Sequence, residues 1–173
     1  MEIRLFAGLL ASLLLLVVLP VDAKQPIRTI EGTVTRVSDG DTIQITDQLG
    51  TKAKVRLYGI DAPETAKGKK LGQPYGEESF QMLRQKVDRQ QVRLDVVDID
   101  KYKRLVAIAW LSGRNINREM VSEGWAWAYR KYLYRAHASE WISDEEQARK
   151  AGKGLWQKGG NIQPPWEFRM VTR

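Results

Sequence analysis

Four carboxylates stand in two short turns of this sequence, and an arginine precedes the second turn. The motif DGD supplies Asp39 and Asp41. The motif DAPE supplies Asp61 and Glu64, and Arg56 stands shortly before it. Carboxylates that converge repel one another unless a cation joins them, and hard oxygen ligands select Ca²⁺ or Mg²⁺. Each motif alone is also typical of a purely structural turn. DGD is typical of an Asx turn, and DAPE is typical of an exposed turn.

A second charged stretch lies later in the chain and contains cations that suit a phosphate. The sequence DKYKR, residues 100–104, supplies Lys101, Tyr102 and Arg104 directly before an apolar run. The guanidinium group of arginine forms a planar fork that matches phosphate oxygens. Arg56 and Arg104, from two different strand ends, would together be able to hold one phosphate. A solvated hairpin explains the same charges equally well.

Aromatic and basic side chains are interleaved in the stretch GWAWAYRKYLYR, residues 124–135. Aromatic rings among cations are typical of surfaces on which nucleic-acid bases stack beside the phosphate chain. Trp125 and Trp127 also suit a hydrophobic core, and we expect both of them there. The rest of this stretch remains a candidate contact surface for a nucleic acid.

Five β-rich segments must position these side chains. The first three alternate apolar and polar residues and are joined by short turns, which is typical of a β-meander. The predicted strands cover residues 29–37, 42–46, 52–58, 91–99 and 105–111. Such a strand order, with a helix after the third strand, favours a small closed barrel of the OB type.

Three helices are expected to flank this barrel. Phe80, Leu83 and Val87 follow the i, i+3, i+7 spacing of one amphipathic helix face. Asn115 or Asn117 is expected to cap the second helix. The predicted helices cover residues 77–87, 115–123 and 139–151. The fold class is therefore α+β, mainly a five-stranded barrel with three flanking helices, and we expect an extended tail from about residue 157.

The N-terminal residues 1–23 have the pattern of a signal peptide. Arg4 precedes an apolar run that ends at Pro20, and Ala23 is a small residue before a suitable cleavage point. The run is shorter than the roughly 20 residues that span a bilayer. We therefore expect export to the periplasm or the medium, with an uncleaved membrane anchor as the alternative. Residues 24–173 then form one domain.

The amino-acid composition reduces the number of possible functions further. The formal charge is +7, and removal of residues 1–23, with Glu2, Arg4 and Asp22, would raise it to +8. A strongly basic domain favours a polyanionic partner such as nucleic acid, anionic lipid or acidic polysaccharide, although the charge also serves solubility alone. The chain has no cysteine and a single histidine, His137. Thiolate catalysis, thiolate metal sites and mechanisms with two histidines are excluded, and we expect His137 to be structural or exposed.

Taken together, five motifs resemble the staphylococcal nuclease (thermonuclease) family. They are VSDGDTIQI, VRLYGIDAPE, DKYKR, NREMVSEGWAW and ARKAGKGLW, and they span about Ile30 to Trp156. The resemblance implies an OB-fold barrel with three helices. It also implies a Ca²⁺-dependent phosphodiesterase that acts on single-stranded or locally melted DNA and RNA and leaves 3′-phosphate ends.

The resemblance also implies roles for individual residues. Asp41 and Asp61 would be the carboxylate ligands of Ca²⁺, and the backbone carbonyl of Ala62 would be a third ligand. Asp39 would lie just beyond the direct ligands. Glu64 would orient or deprotonate the attacking water.

Substrate contacts follow from the same resemblance. Arg56 and Arg104 would hold the scissile phosphate and its developing charge. Lys101 and Tyr102 would contact the neighbouring phosphate. The binding-site tyrosines of the family align ambiguously with this sequence, and the two candidates are Tyr129 and Tyr132.

Two positions depart from the family pattern. Ala62 stands where the family often has threonine, which a backbone ligand tolerates. Lys103 stands where the family commonly has glycine. If this position needs a positive φ, lysine costs about 1 kcal/mol and the loop of Tyr102 and Arg104 would shift.

Two other functions compete with a nuclease. One is a non-catalytic nucleic-acid-binding module on the same fold, but the acids and arginines of the catalytic set are all present. The other is a surface protein that binds anionic lipid or polysaccharide through bulk charge, which leaves Asp41 and Asp61 without a role. We expect a monomeric nuclease without stable membrane association after cleavage.

Overall fold

The described part of the chain, residues 26–159 and 162–172 of a computed structural model, contains eight strands, four α-helices and two 3₁₀ helices, Arg130–Tyr132 and Gly154–Gly159. The strands are β1 Arg28–Asp39, β2 Thr42–Thr46, β3 Lys52–Leu57, β4 Ile60–Asp61, β5 Gln91–Ile99, β6 Leu105–Leu111, β7 Arg114–Asn115 and β8 Trp127–Ala128. The helices are α1 Gly76–Val87, α2 Ile116–Ser122, α3 Arg135–Lys150 and α4 Pro165–Val171. The predicted signal segment, residues 1–23, lies outside the described residues.

Five of these strands close into the predicted barrel. Their order is β3-β2-β1-β5-β6, and all of these neighbours pair antiparallel. A parallel pairing of β3 with β6 closes the ring, with Val55 opposite Leu105 and Leu57 opposite Ala107. Closure leaves no free barrel edge between β3 and β6, and it brings the end of β3 beside the start of β6.

The barrel interior follows from the alternation of the strands. Val92, Leu94 and Val96 of β5 are buried, as their spacing of two predicts, and the intervening residues face outward or are half-buried. Helix α1 packs against the barrel through Leu83 and Val87, both fully buried. The apolar face read from the sequence is therefore the face that enters the core.

The helices agree with the predictions except at the C-terminus. Helix α1 begins one residue before its predicted start, and α3 begins four residues before its predicted start. The extended tail predicted from about residue 157 is wrong over Pro165–Val171, which forms the fourth helix, α4. Proline suits the first turn of a helix because its missing N–H would be unpaired there anyway. No helix within residues 26–159 and 162–172 is long and apolar enough to cross a membrane.

A second, smaller apolar cluster lies beside the barrel and against the C-terminal segment. Trp127, Leu155 and Trp156 are its large buried members, and Trp166 of α4 packs against it. Trp127 is therefore a core residue, as predicted, while Trp125 is half-buried against the main core. This cluster holds α4 close to strand β8.

Candidate active site

The DGD turn joins β1 to β2 and is held tightly against helix α1. A Cβ atom at Gly40 would lie 1.9 Å from Ser79 Oγ and 2.7 Å from Ala62 Cβ, so only glycine fits there. The pairing of β1 with β2 is irregular just before the turn, between Val37 and Asp39. Such an irregularity bends the strand and redirects its side chains. The turn is thereby fixed beside the DAPE segment.

The two acidic turns meet directly. The Oδ2 atom of Asp41 accepts a hydrogen bond from the Ala62 backbone N–H at 2.8 Å, across 21 positions of sequence. Its Oδ1 atom accepts from the Thr42 hydroxyl at 3.0 Å. Asp41 is 6 % exposed and Asp61 is fully buried. The convergence expected from the sequence is therefore present, and an exposed-turn interpretation of DAPE is wrong.

Arg56 joins the two aspartates. Strand β2 places Thr42 opposite Arg56, and the guanidinium forms an ion pair with Asp41 and another with Asp61 at 2.7 Å. Burial alone would lower the pKa of Arg56, but the negative charges of Asp41 and Asp61 raise it above its ordinary value. Arg56 is thus a fixed, charged group.

Burial raises the pKa of Asp41 well above its ordinary value, and the nearby carboxylates of Asp39 and Asp61 raise it further. Arg56 opposes this shift. Asp39 differs: burial would raise its pKa, but hydrogen bonds with Asp41 and Lys67 hold it below its ordinary value. Lys67 Nζ lies 2.7 Å from Asp39 Oδ2. Asp39 therefore has its own cation, whereas Asp41 shares Arg56 with Asp61.

The backbone of Glu64 is held by contacts with Gln73 and by the close approach of Gly76. The Gln73 backbone N–H donates to the Glu64 carbonyl oxygen at 2.8 Å, and Gln73 Oε1 accepts from the Glu64 N–H at 3.3 Å. Gly76 allows this close approach, because a Cβ there would lie 2.2 Å from the Glu64 carbonyl oxygen. The Glu64 carboxylate is about one-third exposed and lines the cleft.

The DKYKR segment forms the turn between β5 and β6. Asp100 accepts hydrogen bonds from the Tyr102 and Arg104 backbone N–H groups, each at 2.9 Å, and from Arg104 Nε at 2.7 Å. The cations of Lys101 and Arg104 lie 5.1 and 5.5 Å from the centre of the Tyr102 ring. Lys103 has φ of 62°. The expected strain at Lys103 is therefore real, and Asp100 holds the turn despite it.

One cleft of about 1210 Å³ brings most of the predicted residues together. The predicted residues that line it are Asp39, Asp41, Arg56, Glu64, Lys101, Tyr102, Arg104, Tyr129 and Tyr132. Asp61 and Ala62 lie buried behind it. The rings of Tyr129 and Tyr132 meet edge to face at 4.9 Å. His137 is packed against the rings of Tyr58 and Trp141.

Two residues of this site were missed in the sequence. Arg169 of α4 donates to both carboxylate oxygens of Asp61, at 3.1 and 2.7 Å, and to Glu64 at 2.7 Å. Trp166 of α4 stacks on Tyr129 with ring centres 5.1 Å apart and planes at 3°. The sequence signal that could have revealed them is Pro165, which suits a helix start, followed by Trp166 and Arg169, which are three residues apart.

The donor set fits a divalent cation such as Ca²⁺. Asp41, Asp61 and Glu64 supply three carboxylates, and Arg56 and Arg169 are the cations paired with them. One negative charge remains with both arginines in place and two remain without Arg169, and hard oxygen donors of this kind match Ca²⁺ or Mg²⁺. Within residues 26–159 and 162–172, no set of three or more histidine, aspartate or glutamate side chains is arranged as a metal site. The ligands that the family resemblance implies are two such side chains, Asp41 and Asp61, together with the Ala62 carbonyl, while Glu64 lies beside them.

Comparisons with known proteins agree on one family. The profile described as "Staphylococcal nuclease homologue" matches residues 54–158. An uncharacterized endonuclease of Haemophilus influenzae is 37 % identical over 131 residues, which cover 76 % of this chain and 68 % of that protein. A micrococcal nuclease of Shigella flexneri is 35 % identical and covers 82 % of each chain. A probable endonuclease of Candida albicans is 33 % identical, over 81 % of this chain and 72 % of that protein.

Proposed function

The chain belongs to the staphylococcal nuclease homologue family and is a phosphodiester-hydrolysing nuclease, and we propose that it is a Ca²⁺-dependent endonuclease for DNA and RNA. Little sequence specificity is expected, because the available contacts suit phosphates rather than base edges. The product would carry a 3′-phosphate end.

The observation that carries this proposal is the convergence of three separate segments on one cleft. The DGD turn brings Asp41, the end of β3 and the DAPE segment bring Arg56 and Asp61, and the β5–β6 turn brings Arg104. A non-catalytic binding module needs the arginines but not a buried acid pair. The buried acids therefore favour catalysis.

Asp41, Asp61 and the Ala62 carbonyl would hold the Ca²⁺ ion. When bound, the ion would offset the negative charge of the phosphate and polarise a water molecule. Glu64 would orient that water and accept its proton. A carboxylate is a weak base, but an aligned and polarised water compensates for this weakness.

The two arginines would bind the phosphate that is attacked. Arg56 Nη2 donates one hydrogen bond to Asp61, and Nη1 forms an ion pair with Asp41. Most of the five N–H donors of the guanidinium therefore remain for phosphate oxygens. Asp100 fixes Arg104 through Nε, which leaves its terminal nitrogens for the same phosphate. Rigid guanidinium groups stabilise the extra charge of the transition state at little cost in reorganisation.

The bond changes follow from this placement. The water oxygen forms a bond to phosphorus, and its proton passes to Glu64. The bond between phosphorus and the 5′-oxygen breaks, and that oxygen takes up a proton from solvent water. One product ends in a 3′-phosphate and the other in a 5′-hydroxyl.

The strand beside the scissile phosphate would lie along exposed aromatic and basic groups. Tyr102 is 65 % exposed and Tyr132 is 55 % exposed. Lys101 and Tyr102 would contact the neighbouring phosphate, and Tyr129 and Tyr132 would contact bases. Exposed rings favour a single strand, because bases in a duplex already stack on one another.

A cleavage assay tests the proposal. Labelled single-stranded DNA is incubated with the protein in Ca²⁺ and in EGTA, and the product ends are examined before and after phosphatase treatment. We expect cleavage only with Ca²⁺ and 3′ ends that a polymerase extends only after phosphatase. Glu64→Gln should lower the rate by about 10²-fold or more.

The control for Glu64→Gln is Glu77→Gln, which changes an exposed glutamate in the first turn of α1. Its rate should equal that of the wild type. The proposal would be contradicted if Glu64→Gln cleaved DNA as fast as the wild type, or if the wild type cleaved DNA equally in EGTA and in Ca²⁺. DNA binding without cleavage by a folded protein would instead support the non-catalytic binding module.

We also propose that the protein is exported through residues 1–23 and acts as a monomer without stable membrane association. The signal-peptide pattern and the basic composition support this proposal. N-terminal sequencing of the protein from an expressing bacterium checks the cleavage point. Sedimentation of that protein checks its mass and its release from membranes.

A further inference from the structure

Helix α4 lies across the candidate active site and places an arginine on its carboxylates. Arg169 donates to both oxygens of Asp61 and to Glu64. These are the carboxylates proposed to hold the metal and the attacking water. Arg169 thus adds a second positive charge to that of Arg56 at these carboxylates.

The contacts of Arg169 compete with a metal ion. Asp61 is fully buried, and its two oxygens already accept three N–H groups, one from Arg56 and two from Arg169. A carboxylate oxygen has two lone pairs, so Oδ1 is saturated. A divalent ion on the remaining position would lie beside a guanidinium of like charge. Ion binding at Asp61 therefore favours departure of Arg169.

Aromatic contacts hold the same helix over the predicted base-stacking surface. Trp166 stacks on Tyr129 and meets Trp127 edge to face at 6.5 Å. The Gln73 side chain donates to the Gln163 carbonyl oxygen just before the helix. A nucleic-acid base cannot occupy the face of Tyr129 that Trp166 covers. One short helix therefore blocks both the metal position and a stacking position.

We propose that α4 is an autoinhibitory helix whose Arg169 takes the place of the metal, so that docking of α4 and binding of Ca²⁺ exclude each other. The inference rests on the proposed Ca²⁺ site. Its consequence is a closed resting state that opens when the metal binds and thereby uncovers the surface for a nucleic-acid strand. The competing possibility, in which Arg169 stays in place as a third phosphate ligand, predicts the opposite result for metal affinity.

Calorimetric titration of the whole chain with Ca²⁺ provides the first test. Arg169→Ala should bind Ca²⁺ at least 10-fold more tightly than the wild type. Trp166→Ala leaves all carboxylate contacts in place but loosens the helix, and it should bind about 3-fold more tightly. Glu167→Gln, on the exposed face of α4, is the matched control and should bind as the wild type does.

Helix release is measured separately. The chain has no cysteine, so Val171→Cys accepts a single nitroxide label at an exposed position of α4. Without metal and without any further substitution, we expect the restricted label motion of an ordered helix, and this restricted state is called immobilised below. The label should become mobile on addition of Ca²⁺, and it should be mobile without Ca²⁺ in Arg169→Ala.

The outcomes separate the two proposals. The proposal that α4 is autoinhibitory would be overturned by equal Ca²⁺ affinity in the wild type and Arg169→Ala, or by a label that stays immobilised at saturating Ca²⁺. The proposed metal site would be unaffected by either result. Weaker Ca²⁺ binding by Arg169→Ala would also overturn it and would favour a supporting role for Arg169. Absence of Ca²⁺ binding in every variant would contradict the proposed metal site and this inference together.

Discussion

The side-chain amide of Asn117 donates to the Tyr58 carbonyl oxygen at 2.9 Å, and 59 positions of sequence separate these residues. Asn117 is fully buried in α2. It also donates to the Ala107 carbonyl oxygen at 3.1 Å and accepts from the Ala109 N–H at 2.9 Å. One amide thus ties α2 to β6 and to the chain just after β3, next to the segment that carries Asp61.

Replacing this amide should destabilise the whole domain. Asn117→Ala leaves the Ala109 N–H without its side-chain acceptor in a dry interior, and it removes the donor to two carbonyl oxygens. We expect the free energy of unfolding to fall by about 2–4 kcal/mol, measured by urea denaturation. Asn115→Ala removes only the helix cap and should cost about 1 kcal/mol. A smaller loss for Asn117→Ala than for Asn115→Ala would contradict this assignment.

Asp100 should act on catalysis through Arg104. Asp100→Asn replaces the acceptor of Arg104 Nε by a group that can also donate, so the guanidinium loses its fixed position. We expect kcat/KM to fall by about 10- to 100-fold in the DNA cleavage assay. Asp95→Asn, which alters a similar pair with Arg93 outside the cleft, is the control.

A double variant distinguishes positioning by Asp100 from a general structural effect. If Asp100 acts only through Arg104, adding Asp100→Asn to Arg104→Ala should cause no further loss of activity. Additive losses would show that Asp100 has another role.

Lys103→Gly should stabilise the protein. Lys103 has φ of 62°, a left-handed conformation that glycine adopts without the strain that a Cβ imposes. We expect the free energy of unfolding to rise by about 0.5–1 kcal/mol, because part of the gain is offset by the flexibility of glycine in the unfolded chain. Lys103→Ala keeps the Cβ and should give no such gain, so equal stabilisation by both variants would argue against backbone strain.

The pH dependence of stability should reflect Glu119 of α2. Burial would raise the pKa of Glu119, but hydrogen bonds from Arg114 and Lys86 hold it below its ordinary value of 4.5. The folded state therefore binds this proton less readily than the unfolded state. The stabilisation is complete above pH 4.5 and is lost as the pH falls through the lower folded pKa.

The variant Glu119→Gln tests the direction of this pH dependence. The difference in unfolding free energy between the wild type and the variant should be largest near neutral pH and should shrink below pH 4.5. Urea denaturation at several pH values measures it. A difference that stays constant across this range would mean that the charge of Glu119 does not contribute.

Much of the barrel could be predicted from the sequence because β2, β3 and the first part of β5 alternate apolar and polar residues, and β6 is a short apolar run that ends at a turn. The predicted strands at 91–99 and 105–111 coincide with β5 and β6. The meeting of Asp41 with the DAPE segment also follows from strands joined by short turns. Local pattern is sufficient where neighbours in sequence are neighbours in space.

The role of Arg169 could not be predicted in the same way. It lies 108 positions from Asp61 in sequence, and nothing local to either residue reports the contact. Helix α4 has seven residues, too few for a clear 3.6-residue period, and it depends on tertiary packing. The role of Asn117 could not be predicted either, because a polar residue in a helix is expected to face solvent and its partners are distant in sequence.

The parallel pairing of β3 with β6 has a consequence for how the enzyme matures. Val55 and Leu105 pair although they are 50 positions apart in sequence, and closing so long a loop is entropically costly and slow. Arg56 and Arg104 become neighbours only when this pairing forms. A partly folded chain with its meander complete would therefore be inactive, and regain of nuclease activity during refolding should track the final cooperative step.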